Sequence, residues 1–248
     1  MAAPVLILCA TRLEMAAFLA RHPAESMGDT PGNPDVMVSP DRSWHLVISG
    51  PGVFNAVWAL TACLERFRPQ FILHTGIAGV FAGTGLDIGD AAVAVKDTYV
   101  HAGVDLSRPG THAACSRLSP LPFDLIAGQG LTRQGIYTLD LKLAHACKDQ
   151  LTRSLNCRVG QGPFITVSAV TGSPEKANAL SHAYRAVMES MEGAAAAHVA
   201  GLYQVPMAEI RAASNRVGDR DKTRWDIRTA AGTVADICET IIRKRPGS

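Results

Sequence analysis

The chain lacks the signatures of several common chemistries. None of its six cysteines pair as CxxC, and no His/Cys cluster has zinc-ligand spacing. They read as reduced thiols of a cytoplasmic protein, not as a disulfide framework or a metal site. GxSxG and HExxH are both missing, which removes the familiar serine-hydrolase and zinc-protease arrangements. No apolar run approaches the ~20 residues that a membrane-spanning helix needs. The opening "MAAPVLILCATRLE" has too short an apolar stretch, and no positive n-region, for a secretory signal. Charge of either sign is scarce: 19% of residues are charged, with 24 Lys and Arg against 22 Asp and Glu. That balance points to no nucleic-acid partner and no membrane partner.

What is abundant is apolar: 47% of the 248 residues, enough for a large core. Short apolar runs at 4–10, 44–50, 71–76, 90–96, 164–170 and 207–214 read as strands, several apolar at consecutive positions, as in a sheet covered on both faces. A further short strand is expected at 185–190. Val53, Val57, Leu60, Leu64 and Phe67 fall on one predicted helix face, and Val234, Ile237, Cys238, Ile241 and Ile242 on another. That second helix should end at Arg243, Lys244 and Arg245, where cations suit the dipole and the following Pro-Gly stops the turn. Strands alternating with helices imply an α/β fold with a largely parallel sheet. No linker or repeat divides the chain, so one domain is expected over 1–248. The turn-rich stretches 28–34 and 105–122 are expected to be its least ordered parts.

The glycine-rich segment "HTGIAGVFAGTGLDIGD" (74–90) invites a dinucleotide reading and fails it. Its glycines miss GxGxxG by one residue, and a strand follows where a helix is required. "TGIAG" reads instead as a turn at a strand end, where a ligand can approach the backbone. Glu14 follows the first strand; on spacing alone it is an exposed first-turn glutamate favoured by the helix dipole. Glu192 heads the alanine stretch "MEGAAAAHV" with no basic neighbour. A buried, unpaired carboxylate is costly, so Glu192 needs either a surface or a partner from outside the chain. Arg211, in a small and otherwise apolar strand, needs an anionic or hydrogen-bonding partner. The charges of 216–228 read as local ion pairs, Trp225 as a core aromatic, and His198 as a packing histidine.

In their order and spacing, Glu14, "TGIAG", "SMEGAAAAHV" and "RAASN" resemble the purine nucleoside phosphorylase superfamily. Its hydrolytic branch, the methylthioadenosine/adenosylhomocysteine nucleosidases, is the nearest likeness. The resemblance covers nearly the whole chain and implies a three-layer α/β/α domain with a central mixed, largely parallel sheet. It implies that Glu14 activates the attacking water, Arg211 helps place it, and Glu192 holds the ribose hydroxyls. Met191 would pack against the sugar, and Ile77, Gly79, Val167 and Ser214 would also touch substrate. A small-molecule purine nucleoside substrate, no metal or organic cofactor, and a homo-oligomer are likewise implied.

One departure bears on the base. Where adenine-specific members carry an aspartic acid, this chain has Asn215, whose amide cannot act as a general acid. It can donate hydrogen bonds to N7 or O6 of a 6-oxopurine, though an asparagine can also pair with adenine. The segment "SNRVGDRDKTRW", with Ile77 in the "GIAG" stretch, resembles the futalosine hydrolase subfamily. That likeness implies cleavage of futalosine to hypoxanthine and dehypoxanthine futalosine, in menaquinone biosynthesis. An arginine of 216–228, or Arg108, would meet the carboxylate arm of such a substrate. Asp219 or Asp221 could supply the missing acid. Rival expectations are an adenine-specific nucleosidase, including one acting on aminodeoxyfutalosine, a phosphorylase using Arg12, and a non-catalytic nucleoside-binding protein.

Overall fold

A computed structural model describes residues 3–28, 33–106 and 118–246. Much of the two turn-rich stretches, and Arg108 with them, lies outside the described residues. The chain opens with β1 (Val5–Cys9) and α1 (Arg12–Arg21), then β2 (Glu25–Ser26), β3 (Asp35–Val38) and β4 (Trp44–Ile48). Next come α2 (Val53–Leu64), β5 (Phe71–Val80), β6 (Ala91–Tyr99), β7 (Ile136–Thr138) and α3 (Leu141–Thr152). The last part holds β8 (Val159–Thr166), α4 (Pro174–Tyr184), β9 (Met188–Ser190), α5 (Gly193–Tyr203), β10 (Met207–Arg216) and α6 (Ile227–Lys244).

The strands form one mixed sheet ordered β10-β6-β8-β9-β5-β1-β4-β3-β2, with β7 on β6. Its longest pairings, β10 with β5 and β6 with β8, are parallel. β10 also joins β5, so β5, β10, β6, β8 and β9 close a ring in place of an open sheet. Helices cover both faces. Met15 and Phe18 of α1 pack with Leu143 of α3 and Ile237 of α6 on one side. Leu60 and Cys63 of α2 pack with Ala196 and Val199 of α5 on the other. The α/β/α expectation holds, and the central strands are apolar at successive positions because neither face meets water.

Several features differ from expectation: the strand at 185–190 is only Met188–Ser190, and the one at 90–96 runs on to Tyr99. "TGIAG" is not a turn: β5 runs on to Val80, because β10 and β9 hydrogen-bond to its far half. The run at 164–170 is the end of a strand that begins at Val159 and stops at Thr166, leaving Val167 and Val170 beyond it. The buried face of α2 is Ala56, Ala59, Leu60, Cys63 and Leu64, while Val57 turns outward with Phe54 and Trp58. Small residues face the sheet there, which lets the helix approach closely. At the C-terminus α6 ends at Lys244 with Arg243 and Lys244 in its last turn, as the dipole argument expects.

Candidate active site

Glu14 is fixed from two sides. Thr11 caps α1, and Glu14 returns the bond as a capping box. Its Oε2 accepts the Thr11 N–H at 2.8 Å and the Thr11 hydroxyl at 2.7 Å. Oε1 accepts the N–H of Ile77 on β5 at 2.9 Å. The Cys9 thiol stands 3.6 Å from Oε2. Glu14 is therefore buried, at 5% exposure, and not the exposed first-turn glutamate that spacing suggests.

Glu192 lies at the head of α5 but caps nothing with its side chain. Its Oε1 accepts the Gly52 N–H at 2.8 Å, and its Oε2 is 3.7 Å from Arg211 Nη2. The carboxylate thus has a cation within the chain, brought from β10, which local sequence could not show. Burial raises its pKa; Arg211 and the Gly52 N–H pull it down, and the charge of Glu14 pushes it up again.

Arg211 is fully buried. Its Nε donates to Glu209 Oε1 at 3.0 Å, and its Nη2 donates to His74 Nε2 at 2.9 Å. Burial and the guanidinium hold the His74 pKa well below the ordinary histidine value, so the ring stays neutral and accepts. Beneath lies a second carboxylate, Asp97 on β6, whose pKa burial and Glu209 push well up. The Thr166 hydroxyl donates to Asp97 Oδ1 at 2.8 Å and accepts the N–H of Ala194 at 2.8 Å. This tie fastens β6 and β8 to the first turn of α5. Gly193 is the only residue type that fits above it, since a Cβ there would collide with Asp97 Oδ2 and Glu209 Oε1.

Gly76 has a comparable role beneath Glu14. It pairs with Arg211 in the sheet and has φ +149°. A Cβ would stand 2.7 Å from Glu14 Oε1 and 2.9 Å from Arg211 Nη1, a buried nitrogen with no hydrogen-bond partner among the described residues. Gly76→Ala is expected to strain the backbone at this φ and to displace both groups. An ångström of misplacement costs on the order of 100-fold in kcat; steady-state kinetics beside circular dichroism check it, and unchanged kcat would show that the spacing is not critical.

The sequence-predicted residues converge. Glu14, Ile77, Gly79 and Val167 line a cavity of about 300 Å³, as do Met191, Glu192, Ser214 and Asn215. Arg211 sits behind the cavity wall. Trp225, also in that wall, is half-buried and not a core aromatic. Sequence reading missed Glu189, Glu209, Asp97 and His74, the first of which lines the cavity. Glu209 was legible: two residues before Arg211 in a strand, it shares its face.

Other candidates fall outside. Arg12 pairs with Asp35 through two bonds of 2.8 Å. Asp219 accepts from Arg224, and Asp221 accepts from Thr223; neither lines the cavity. His198 takes up Tyr137 at 3.2 Å. A larger recess, about 620 Å³, opens where β10 begins, but its one ionisable lining group, Asp140, is engaged in capping α3.

The mixed sheet thus brings two buried carboxylates, Glu14 and Glu192, to one cavity with a buried guanidinium behind its wall. The chain belongs to the phosphorylase superfamily, whose sequence model matches residues 4–243. Its relatives are nucleosidases, hydrolases acting on N-glycosyl compounds, and the chain is an enzyme of that kind. It is 30% identical over 200 residues to the futalosine hydrolase of Thermus thermophilus, covering 81% of each chain. It is 28% identical over 173 residues to the 5′-methylthioadenosine/S-adenosylhomocysteine nucleosidase of Maridesulfovibrio salexigens, covering 69% of this chain and 68% of the other. A Helicobacter pylori nucleosidase mutant with 5′-methylthioadenosine in its active site shares the fold, with TM-score 0.81 at 21% identity over 98% of this chain and 100% of that one. Among the described residues, no helix is long and apolar enough to cross a membrane.

Proposed function

We propose that the chain hydrolyses the N-glycosidic bond of futalosine, releasing hypoxanthine. The observation that carries this reading is the pair of buried carboxylates, Glu14 and Glu192, on one cavity that Asn215 also lines. Glu192 grips the ribose hydroxyls, with Met191 against the sugar. Glu14 Oε1 and Arg211 Nη1 flank the hydrogen of Gly76 and hold the attacking water between them. As the base departs, positive charge grows on the ribose, and the fixed carboxylates stabilise it.

Hydrolysis is favoured over phosphorolysis by charge. Two carboxylates repel a phosphate dianion, and Arg12 is held outside by Asp35. Asn215 favours a 6-oxopurine, which leaves as an anion more readily than adenine does. The carboxylate arm of futalosine finds a cation in Arg220, whose guanidinium carbon lies 5.1 Å over the ring of Trp225 at the cavity wall. The outward stripe of Phe54, Val57 and Trp58 on α2, just after Pro51 of the cavity rim, supports a second copy packing there.

Base release from futalosine, methylthioadenosine and aminodeoxyfutalosine, each with and without phosphate, tests the reading. Phosphate-independent hypoxanthine release from futalosine is expected. Adenine release from the other two, with futalosine untouched, would reject the 6-oxopurine substrate. A requirement for phosphate would reject hydrolysis.

A further inference from the structure

Behind the cavity, two acids from different strands meet. Glu209 of β10 and Asp97 of β6 are both fully buried. A Cβ on Gly193 would stand 2.2 Å from Asp97 Oδ2, and 2.4 and 2.6 Å from the two oxygens of Glu209. Three carboxylate oxygens thus converge on one hydrogen at the start of α5. Asp97 Oδ2 and Glu209 Oε2 are nonetheless buried without a hydrogen-bond partner among the described residues. Two ionised carboxylates do not share such a place, because each raises the pKa of the other. Nor could they bond one another, since an ionised carboxylate only accepts. One proton between them removes both difficulties.

The neighbours decide where that proton sits. The Thr166 hydroxyl accepts the Ala194 N–H and donates its one proton to Asp97 Oδ1. That oxygen is an acceptor, which leaves Oδ2 to carry hydrogen. Among the described residues no cation lies within ion-pair distance of Asp97, whereas Glu209 Oε1 meets Arg211 Nε at 3.0 Å. His74 accepts from the same guanidinium at Nε2, so its ring proton is on Nδ1, 3.7 Å from Glu209 Oε1. Glu209 is therefore the anion and Asp97 the acid. Burial first, and then the charge of Glu209, push the Asp97 pKa upward, in agreement with that assignment.

We propose that Asp97 and Glu209 share one buried proton, with Asp97 Oδ2–H donating to Glu209, and that this acid–carboxylate pair positions Arg211. The guanidinium is held at Nε by Glu209 and at Nη2 by His74. Nη1 alone is left over, beside the Gly76 hydrogen and Glu14 Oε1. The proton also limits the charge behind the arginine to one. A second bare carboxylate there would compete with Glu14 and Glu192 for the same cation. The effect on turnover rests on the hydrolytic reading above; the shared proton does not.

Infrared spectroscopy of the full chain at neutral pH reads the proton directly. The wild type should show the carbonyl band of a protonated carboxyl. Asp97→Asn should remove it, and Glu209→Gln should shift it, because the acceptor loses its charge. A wild type without the band, which needs no variant to establish, overturns the shared proton; so does a band that survives Asp97→Asn unchanged. Kinetics read the positioning. Asp97→Ala should lower kcat on the order of 100-fold with KM little changed, as expected for a misplaced group that does not touch substrate. Asp97→Asn should recover most of that loss, since its amide donates to Glu209 while its oxygen still accepts from Thr166. An alanine variant as fast as the wild type, or an asparagine variant no better than alanine, overturns the positioning role. A wild type inactive on every nucleoside would reject the hydrolytic reading, and the spectra would still decide the proton.

Discussion

Glu14→Gln is expected to abolish base release while leaving the product bound. Glutamine has the same shape but cannot take a proton from water. General-base catalysis of this kind contributes ~10²–10⁴-fold, so kcat should fall by about that factor. The surroundings sharpen the expectation. The Glu14 carboxylate accepts from Thr11 on one oxygen and from Ile77 on the other, so either orientation of an amide sets an N–H against a backbone donor. That mismatch costs about 1–3 kcal/mol of stability, which a thermal melt separates from lost chemistry. Near-normal turnover would remove Glu14 as the group that activates water. Loss of hypoxanthine binding in step with kcat would make its role structural.

Arg211→Met should be the most destabilising change in the site. The guanidinium is fully buried and faces Glu209 at 3.0 Å and Glu192 at 3.7 Å, with Glu14 close by. Removing one partner of a buried ion pair leaves an uncompensated charge and costs about 3–5 kcal/mol, against a total of about 5–15 kcal/mol for a domain. The loss should depend on pH. Burial already raises the pKa of both Glu192 and Glu209, and Arg211 pulls each down. Without the arginine their folded pKa values rise further above the unfolded ones. A raised carboxylate pKa contributes stability that is present below the unfolded value and lost as pH rises through the folded one. The deficit should therefore be smaller at pH 5 than at pH 8 in urea titrations. An equal deficit at both would mean that packing, not orphaned charge, accounts for it.

The elements were legible where burial acts on consecutive residues. β1, β5, β6 and β10 announce themselves as apolar runs because both faces of the sheet are covered. Their ends were not, since an end is set by partners far along the chain. Gly76 and Gly79 look like turn formers, yet β10 supplies pairing that no local pattern contains. Val167 and Val170 look like strand and lie past its end because β9, the neighbour of β8, is three residues long. At the site, the same limit applies to charge. Thr11-x-x-Glu14 can be read as a capping box, but the Ile77 N–H that buries Glu14 comes from 63 residues away. Glu192 was recognisable as a carboxylate in need of a partner, and the structure supplies Arg211 inside the chain, while the sugar stays a proposal. Glu189 and Asp97 passed unnoticed because a single acidic residue beside an apolar run usually marks a strand end.

The placement of β10 governs how the protein can be made. Among the described residues it is the last strand in sequence order, and it lies between β5 and β6, closing the ring. While a ribosome is still extending the chain short of residues 207–216, β5 and the 91–93 stretch of β6 present unpaired edges, and such edges invite pairing with other chains. Glu192 and Glu14 likewise lack their cation until that strand arrives, because Arg211 travels on it. Nascent chains of this protein should therefore depend on holdase protection until residues 207–216 have emerged, and activity should appear only once that strand inserts.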